Sequence, residues 1–186
     1  MSLSLYKPNS KNTGSGFSFQ LGINNKNQER TLYVKSIKQH SWDSIKKQGY
    51  FQQNAGNPDK NITVKFNEYE IGNLIYAIST RKEYSTFHSF KEDKTSIKIG
   101  PWDKKAKKSV KNPDSGEWEE QWEAVKAYSL SFTRNGNQNF SIALEPGEAV
   151  TVNEFLKFCL NEIFRERATK QISEIKSKSE SKSAPF

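Results

Sequence analysis

Cysteine is almost missing from this chain: Cys159 is the single one in 186 residues. That excludes a disulfide framework within the chain and makes a reducing, cytoplasmic setting the simple expectation. Histidine is scarce as well, with only His40 and His88. A zinc site needs three or four convergent ligands, and so few Cys and His side chains make one hard to build. No metal and no cofactor is expected. No apolar run reaches the length of a transmembrane helix. The opening "MSLSLYKPNS" lacks the basic flank and apolar centre of a signal peptide. Walker, G-x-S-x-G and H-E-x-x-H patterns are absent, and no pair of carboxylates stands out for acid–base work. A non-catalytic protein without a membrane segment is the expectation, with an enzyme that uses carboxylates alone as the weaker alternative. Apolar residues are also few, at 33% of the chain with a mean hydropathy of -0.87. Some of the length therefore belongs to loops and tails.

Positive charge is what the chain has in excess. There are 29 Lys and Arg against 21 Asp and Glu, a net charge of +8 with a pI near 9.4. Such a surface attracts nucleic acid, an anionic membrane or an acidic protein. The Asn-, Lys- and Ser-rich usage fits an AT-rich genome, such as that of a phage or a low-GC bacterium.

Hydrophobic periodicity divides the chain. Residues 1–15 are polar and expected to be flexible. Phe17, Phe19, Leu21 and Ile23 alternate with polar or small residues, the pattern of a strand with one buried face. "TLYVKSIK" (31–38) and "NITVKF" (61–66) read as further strands, with a short one near Tyr50. Asn67 followed by Glu70 predicts a capped helix start, and Ile71, Leu74, Ile75 and Ile78 form its apolar stripe. "EYSTFHSF", "TSIKIGPW", "AVKAYSLSFTR" and "FSIAL" are strands, with Asn135-Gly136 suited to a type I′ turn. A last helix begins at Pro146 or after Thr151. Its stripe of Val152, Phe155, Leu156, Cys159 and Ile163 is widened by Phe158, Leu160 and Phe164. So wide an apolar surface needs cover on more than one side. A subunit interface through Phe155, Phe158, Cys159 and Ile163 is expected, the alternative being burial within one chain. From about Arg165 the sequence is Ser, Lys and Glu, expected to be a disordered tail.

The order is four strands, helix, four strands, helix. With "VKFNEYEIGNLIYAI", "YSTFHSF", "TSIKIG", "AYSLSFTRNGNQNFSIAL" and "EFLKFCLNEIF" in that order, the chain resembles the Whirly-like single-stranded DNA-binding proteins. The positive-cofactor-four coactivators and mitochondrial guide-RNA-binding proteins are related to that family. The resemblance spans residues 16–165, with 166–186 as tail. It implies an α+β fold of two antiparallel four-stranded meanders, each followed by a helix (β4-α-β4-α). It also implies a homo-oligomer, by family habit a tetramer, with single-stranded DNA along sheet edges between protomers. The plant branch's Lys-Gly-Lys-Ala-Ala-Leu motif has no equivalent here, and the Trp102–Trp122 connection is longer than the family hairpin needs.

A single-strand binder needs cations along a groove and aromatic faces for unstacked bases. The sequence interleaves the two: Tyr33 with Lys35, Trp42 with Lys46 and Lys47, Phe90 with Lys91, and Lys98 with Trp102. Trp102 is followed by Lys104, Lys105, Lys107 and Lys108. Tyr84 is a further candidate platform, although tyrosines on strands also serve as core. The segment from Pro101 to Trp122 is read as a long polar hairpin connection. Its lysine arm and acidic arm face each other as a flexible, partly self-neutralised clamp. Pro185-Phe186 echoes the partner-docking end of bacterial single-strand-binding proteins over two residues only. The leading expectation is a single-stranded DNA-binding protein of replication, recombination or repair. The alternatives are an RNA-binding or transcription-regulating protein of the same fold, and a basic protein-interaction module.

Overall fold

Cross-strand pairing converts the period-two segments into two sheets in the computed structural model, which describes residues 1–182. The first sheet has the order β1-β2-β3-β6, with β1 Ser2–Lys7, β2 Ser15–Asn24, β3 Glu29–Lys38 and β6 Asn61–Phe66. The second has the order β10-β9-β8-β7, with β7 Tyr84–Phe90, β8 Asp93–Lys111, β9 Trp118–Arg134 and β10 Gln138–Leu144. All pairs are antiparallel. Helix α1 (Glu68–Thr80) follows the first sheet and helix α2 (Pro146–Lys182) the second. A two-stranded ribbon, β4 (Ser41–Asp43) with β5 (Gln48–Tyr50), is inserted between β3 and β6. The fold is thus α+β, with two antiparallel four-stranded sheets and two helices, but six strands rather than the expected four precede α1, because the ribbon interrupts the first sheet between β3 and β6.

One face of each sheet is apolar. Leu3, Phe19, Val34 and Val64 form one row across the first sheet, and Thr86, Ile97, Phe132 and Phe140 one across the second. The two faces meet where the Phe17 and Phe132 rings cross edge-on at 5.1 Å. Ile71, Leu74, Ala77 and Ile78 of α1 and Val152, Leu156, Cys159 and Ile163 of α2 complete one continuous core.

Local chemistry sets the helix ends. Asn67 Oδ1 accepts from the Glu70 N–H at 3.0 Å, and Glu70 Oε2 accepts from the Asn67 N–H at 3.0 Å. This is the reciprocal capping box expected from sequence. Glu70 Oε1 also meets His88 Nε2 at 2.6 Å and accepts from the Thr86 hydroxyl at 3.2 Å, tying α1 to β7. Helix α2 starts at Pro146, where the missing N–H costs nothing. Thr151 lies inside it. The β9–β10 turn carries positive φ at Asn135 (51°) and Gly136 (73°), as a type I′ turn demands.

Several expectations are corrected. The first residues are not frayed: Leu3 and Leu5 lie opposite Phe19 and Phe17, and their burial adds the fourth strand. The Gln39 side chain then holds both the N–H and the carbonyl of Asn9, at 2.9 Å each. At the other end, helix α2 continues to Lys182 rather than giving way to a tail at 166. Arg30 pairs with Glu162 and Glu166, Arg167 with Glu68 and Glu29, and Lys170 donates to the Gln28 carbonyl. These contacts carry the helix past the end of its apolar stripe. Phe155, Cys159 and Ile163 are buried inside this one chain, so they are core and not a subunit interface. Phe158, at 36% exposure, remains on the surface. Pro185-Phe186 lies outside the described residues.

Candidate nucleic-acid interface

The faces turned away from the core carry the candidate chemistry. Across the first sheet, Ser4, Ser18, Lys35 and Thr63 form one outer row. Ser2, Gln20, Tyr33 and Lys65 form the next. Tyr33 lies on Gly22, where an added Cβ would come within 3.1 Å of its ring. Tyr6 lies on Gly16 in the same manner and meets the Phe51 ring at a tilt, centroids 4.9 Å apart. The glycines let both rings lie close to the sheet.

The second sheet repeats the scheme. Phe87, Ser96, Thr133 and Asn139 form one outer row, and Ser85, Lys98, Ser131 and Ser141 another. Phe87 is 58% exposed. Beyond Gly100 on the same face stands Trp102, 46% exposed, followed by Lys104. A shallow groove passes Trp102, Lys104 and Lys7, follows Gly14 and Ser141, and reaches Lys38. Cations therefore stand at both ends of a floor made of small hydroxyl and backbone groups. Such a surface offers hydrogen bonds that do not distinguish bases. Glu145 holds Lys104, and this bond keeps its carboxyl below the usual carboxylate range, with Lys7 adding to the effect. Lys98 pairs with Glu83 at 3.0 Å.

The segment from Pro101 to Trp122 is not a loop. Strands β8 and β9 stay paired from Trp102↔Ala127 to Lys111↔Trp118, beyond the reach of β7 and β10. They make a two-stranded arm about 30 Å long. Asn112 closes its tip, and Gly116 there has φ 71°. The arm keeps the expected facing of opposite charges: Lys107 pairs with Glu120, and Lys108 lies 3.5 Å from Glu123. Lys104 departs from this by pairing across to Glu145.

The overall backbone fold is shared with solved structures. The crystal structure of WHY1 from Arabidopsis thaliana superposes with a TM-score of 0.53 at 12% identity, over 100% of this chain and 95% of that one. WHY3 from Arabidopsis thaliana gives 0.52 at 14% identity, over 92% of each chain. The plant transcriptional regulator PBF-2 gives 0.52 at 12% identity, over 91% of this chain and 85% of that one. The fold is Whirly-like. No protein-family profile and no curated protein sequence matches the chain. The likeness is therefore one of backbone arrangement.

On this Whirly-like frame the expected residues separate into groups. Tyr33 and Lys35 sit together on the outer face of the first sheet, and Lys98, Trp102 and Lys104 on that of the second. Lys105, Lys107 and Lys108 are on the arm. Trp42, half-buried, and Lys46 and Lys47, exposed, lie on the inserted ribbon. Lys91 stands at the β7–β8 turn, its Nζ 5.6 Å over the Phe90 ring. Tyr84 is corrected: it pairs with Ile99 on the inner face and packs against the core, so its ring is not a stacking platform. Sequence reasoning missed Tyr6, Phe51, Phe87, Lys38 and Lys65. The alternation of Ser and Thr with apolar residues was the available signal, because it already assigned the hydroxyls to one face.

Proposed function

We propose that this chain is a non-catalytic, largely sequence-independent single-stranded DNA-binding protein acting in replication, recombination or repair. The observation that supports this best is the composition of the outer sheet faces on a Whirly-like frame. Hydroxyl residues alternate with Lys35, Lys65, Lys98 and Lys104, and the exposed rings of Phe87 and Trp102 stand among them. Lysines neutralise phosphates and release counterions. Exposed rings stack on bases of any identity. Hydroxyls adapt as donors or acceptors. A protein that coats exposed single strands serves the processes that expose them, as a nucleic-acid-associated cytoplasmic protein.

Self-association belongs to the same reading, with a tetramer as the stoichiometry. Phe158 and Phe164 of α2 remain 36% and 51% exposed beside the core-facing stripe, and a second copy would cover them.

The experiment is a salt-dependent anisotropy titration with labelled oligo-dT, matched RNA and duplex DNA. Oligo-dT is expected to bind well above duplex, with log K falling linearly against log salt at about 0.7 per phosphate contacted. Preference for the RNA would move the assignment to an RNA-binding protein. Equal, weak binding of all three, lost as salt rises, would overturn the single-strand reading in favour of an acidic protein partner.

A further inference from the structure

The arm has two chemically different faces. One carries Trp102, Lys104 and Lys108 against Glu119 and Glu123, so its charges cancel. The other carries Lys105, Lys107, Lys111 and Lys126 against only Asp103 and Glu120, and it also holds Trp118 and Trp122. The register places Lys107 directly opposite Trp122 and Lys111 directly opposite Trp118. The two rings are 64% and 71% exposed. They stand four residues apart on one strand, about 13 Å.

We propose that this second face is a separate stacking site for single-stranded nucleic acid. Trp118 and Trp122 would each take a base, and Lys105, Lys107, Lys111 and Lys126 the adjoining phosphates. This rests on the single-strand reading above and adds a surface to it. A protein-docking face would show the aromatics without the lysines, because Lys is depleted in protein interfaces. Here a lysine stands opposite each tryptophan.

The arm is also aimed. Tyr128 at its root donates to the Ile78 carbonyl at 2.6 Å, deep in the core. Arg81, at the end of α1, pairs with Asp103 at 2.6 Å and lies 5.3 Å over the Tyr128 ring. Lys104 is bound to Glu145 at the start of α2. These contacts fix the direction in which the ribbon leaves the body. Further out, Lys107 lies 5.5 Å over the Trp122 ring and pairs with Glu120. A strand settling here exchanges Glu120 for a phosphate at Lys107 and places a base on Trp122. Glu120 is therefore a competitor that weakens binding.

The test compares the full chain with Trp118→Ala/Trp122→Ala, Trp118→Phe/Trp122→Phe and Glu120→Gln by anisotropy with labelled oligo-dT. Far-UV circular dichroism confirms that the body, which these residues do not touch, is unchanged. The double alanine variant is expected to bind about tenfold or more weakly, at unchanged salt slope, with phenylalanine restoring most of the loss. Glu120→Gln is expected to bind up to about fivefold more tightly. If the wild type prefers oligo-dT and the double alanine variant binds as the wild type does, the arm site is overturned and the single-strand reading stands. If the wild type has no preference for oligo-dT, that reading falls and the arm site falls with it. Weaker binding by Glu120→Gln would overturn the competitor role.

Discussion

Cys159 shows how far one residue's chemistry follows from its burial. It is fully enclosed among the side chains of the core. Desolvation of the thiolate pushes its pKa up from 9.0 to about 11. At pH 8 the folded chain is expected to resist iodoacetamide, and the urea-unfolded chain to react readily. Mass spectrometry distinguishes the two, and rapid labelling of the folded chain would contradict the burial. The sign for stability follows by linkage. Between about pH 9 and pH 11 the unfolded chain loses a proton that the folded chain keeps. The contribution is complete below that window and is lost as pH rises through it. Urea midpoints should fall over this range more steeply for the wild type than for Cys159→Ala, which removes the titrating thiol.

At the level of elements, helix α1 depends on a small polar cluster at its start. Asn67→Ala removes the acceptor for the Glu70 N–H and is expected to cost about 1 kcal/mol. Glu70→Ala should cost more, by a further ~1–3 kcal/mol, because it strips partners from Asn67, Thr86 and His88 together. Urea unfolding of the two variants gives both numbers, and equal costs would show that the β7 contacts contribute nothing. His88 reads in the sequence as an ordinary polar residue. Its place against Glu70 depends on β7 folding back over α1, which local sequence does not encode.

The whole molecule keeps its apolar faces inside and turns its hydroxyl-and-lysine faces outward, but α2 leaves Phe158 and Phe164 partly bare. Size-exclusion chromatography with light scattering is expected to find the wild type as an oligomer. Phe158→Glu/Phe164→Glu should shift it to monomer with its circular dichroism retained, since both residues stand at the surface. A monomeric wild type would refute self-association.

Period and capping signals were legible residue by residue. Phe17 to Ile23, Asn67 with Glu70, Asn135-Gly136 and Pro146 each specify their local structure, because strand alternation, helix caps and tight turns are decided by neighbours in sequence. The order of these elements also carried the Whirly-like likeness. Tertiary structure alone decided which way ambiguous side chains point. "YSTFHSF" has aromatic residues on both parities. The pairing of Tyr84 with Ile99 turns Tyr84 inward and leaves Phe87 in solvent. The stripe of α2 did not say whether Phe155, Cys159 and Ile163 meet another copy or their own chain; the chain's own core of sheets and α1 takes them. The Lys-rich and Glu-rich segments look like a loop because each is polar. They become an arm because cross-strand register sets Lys107 beside Trp122 and within reach of Glu120, and such pairing is a contact between residues distant in sequence.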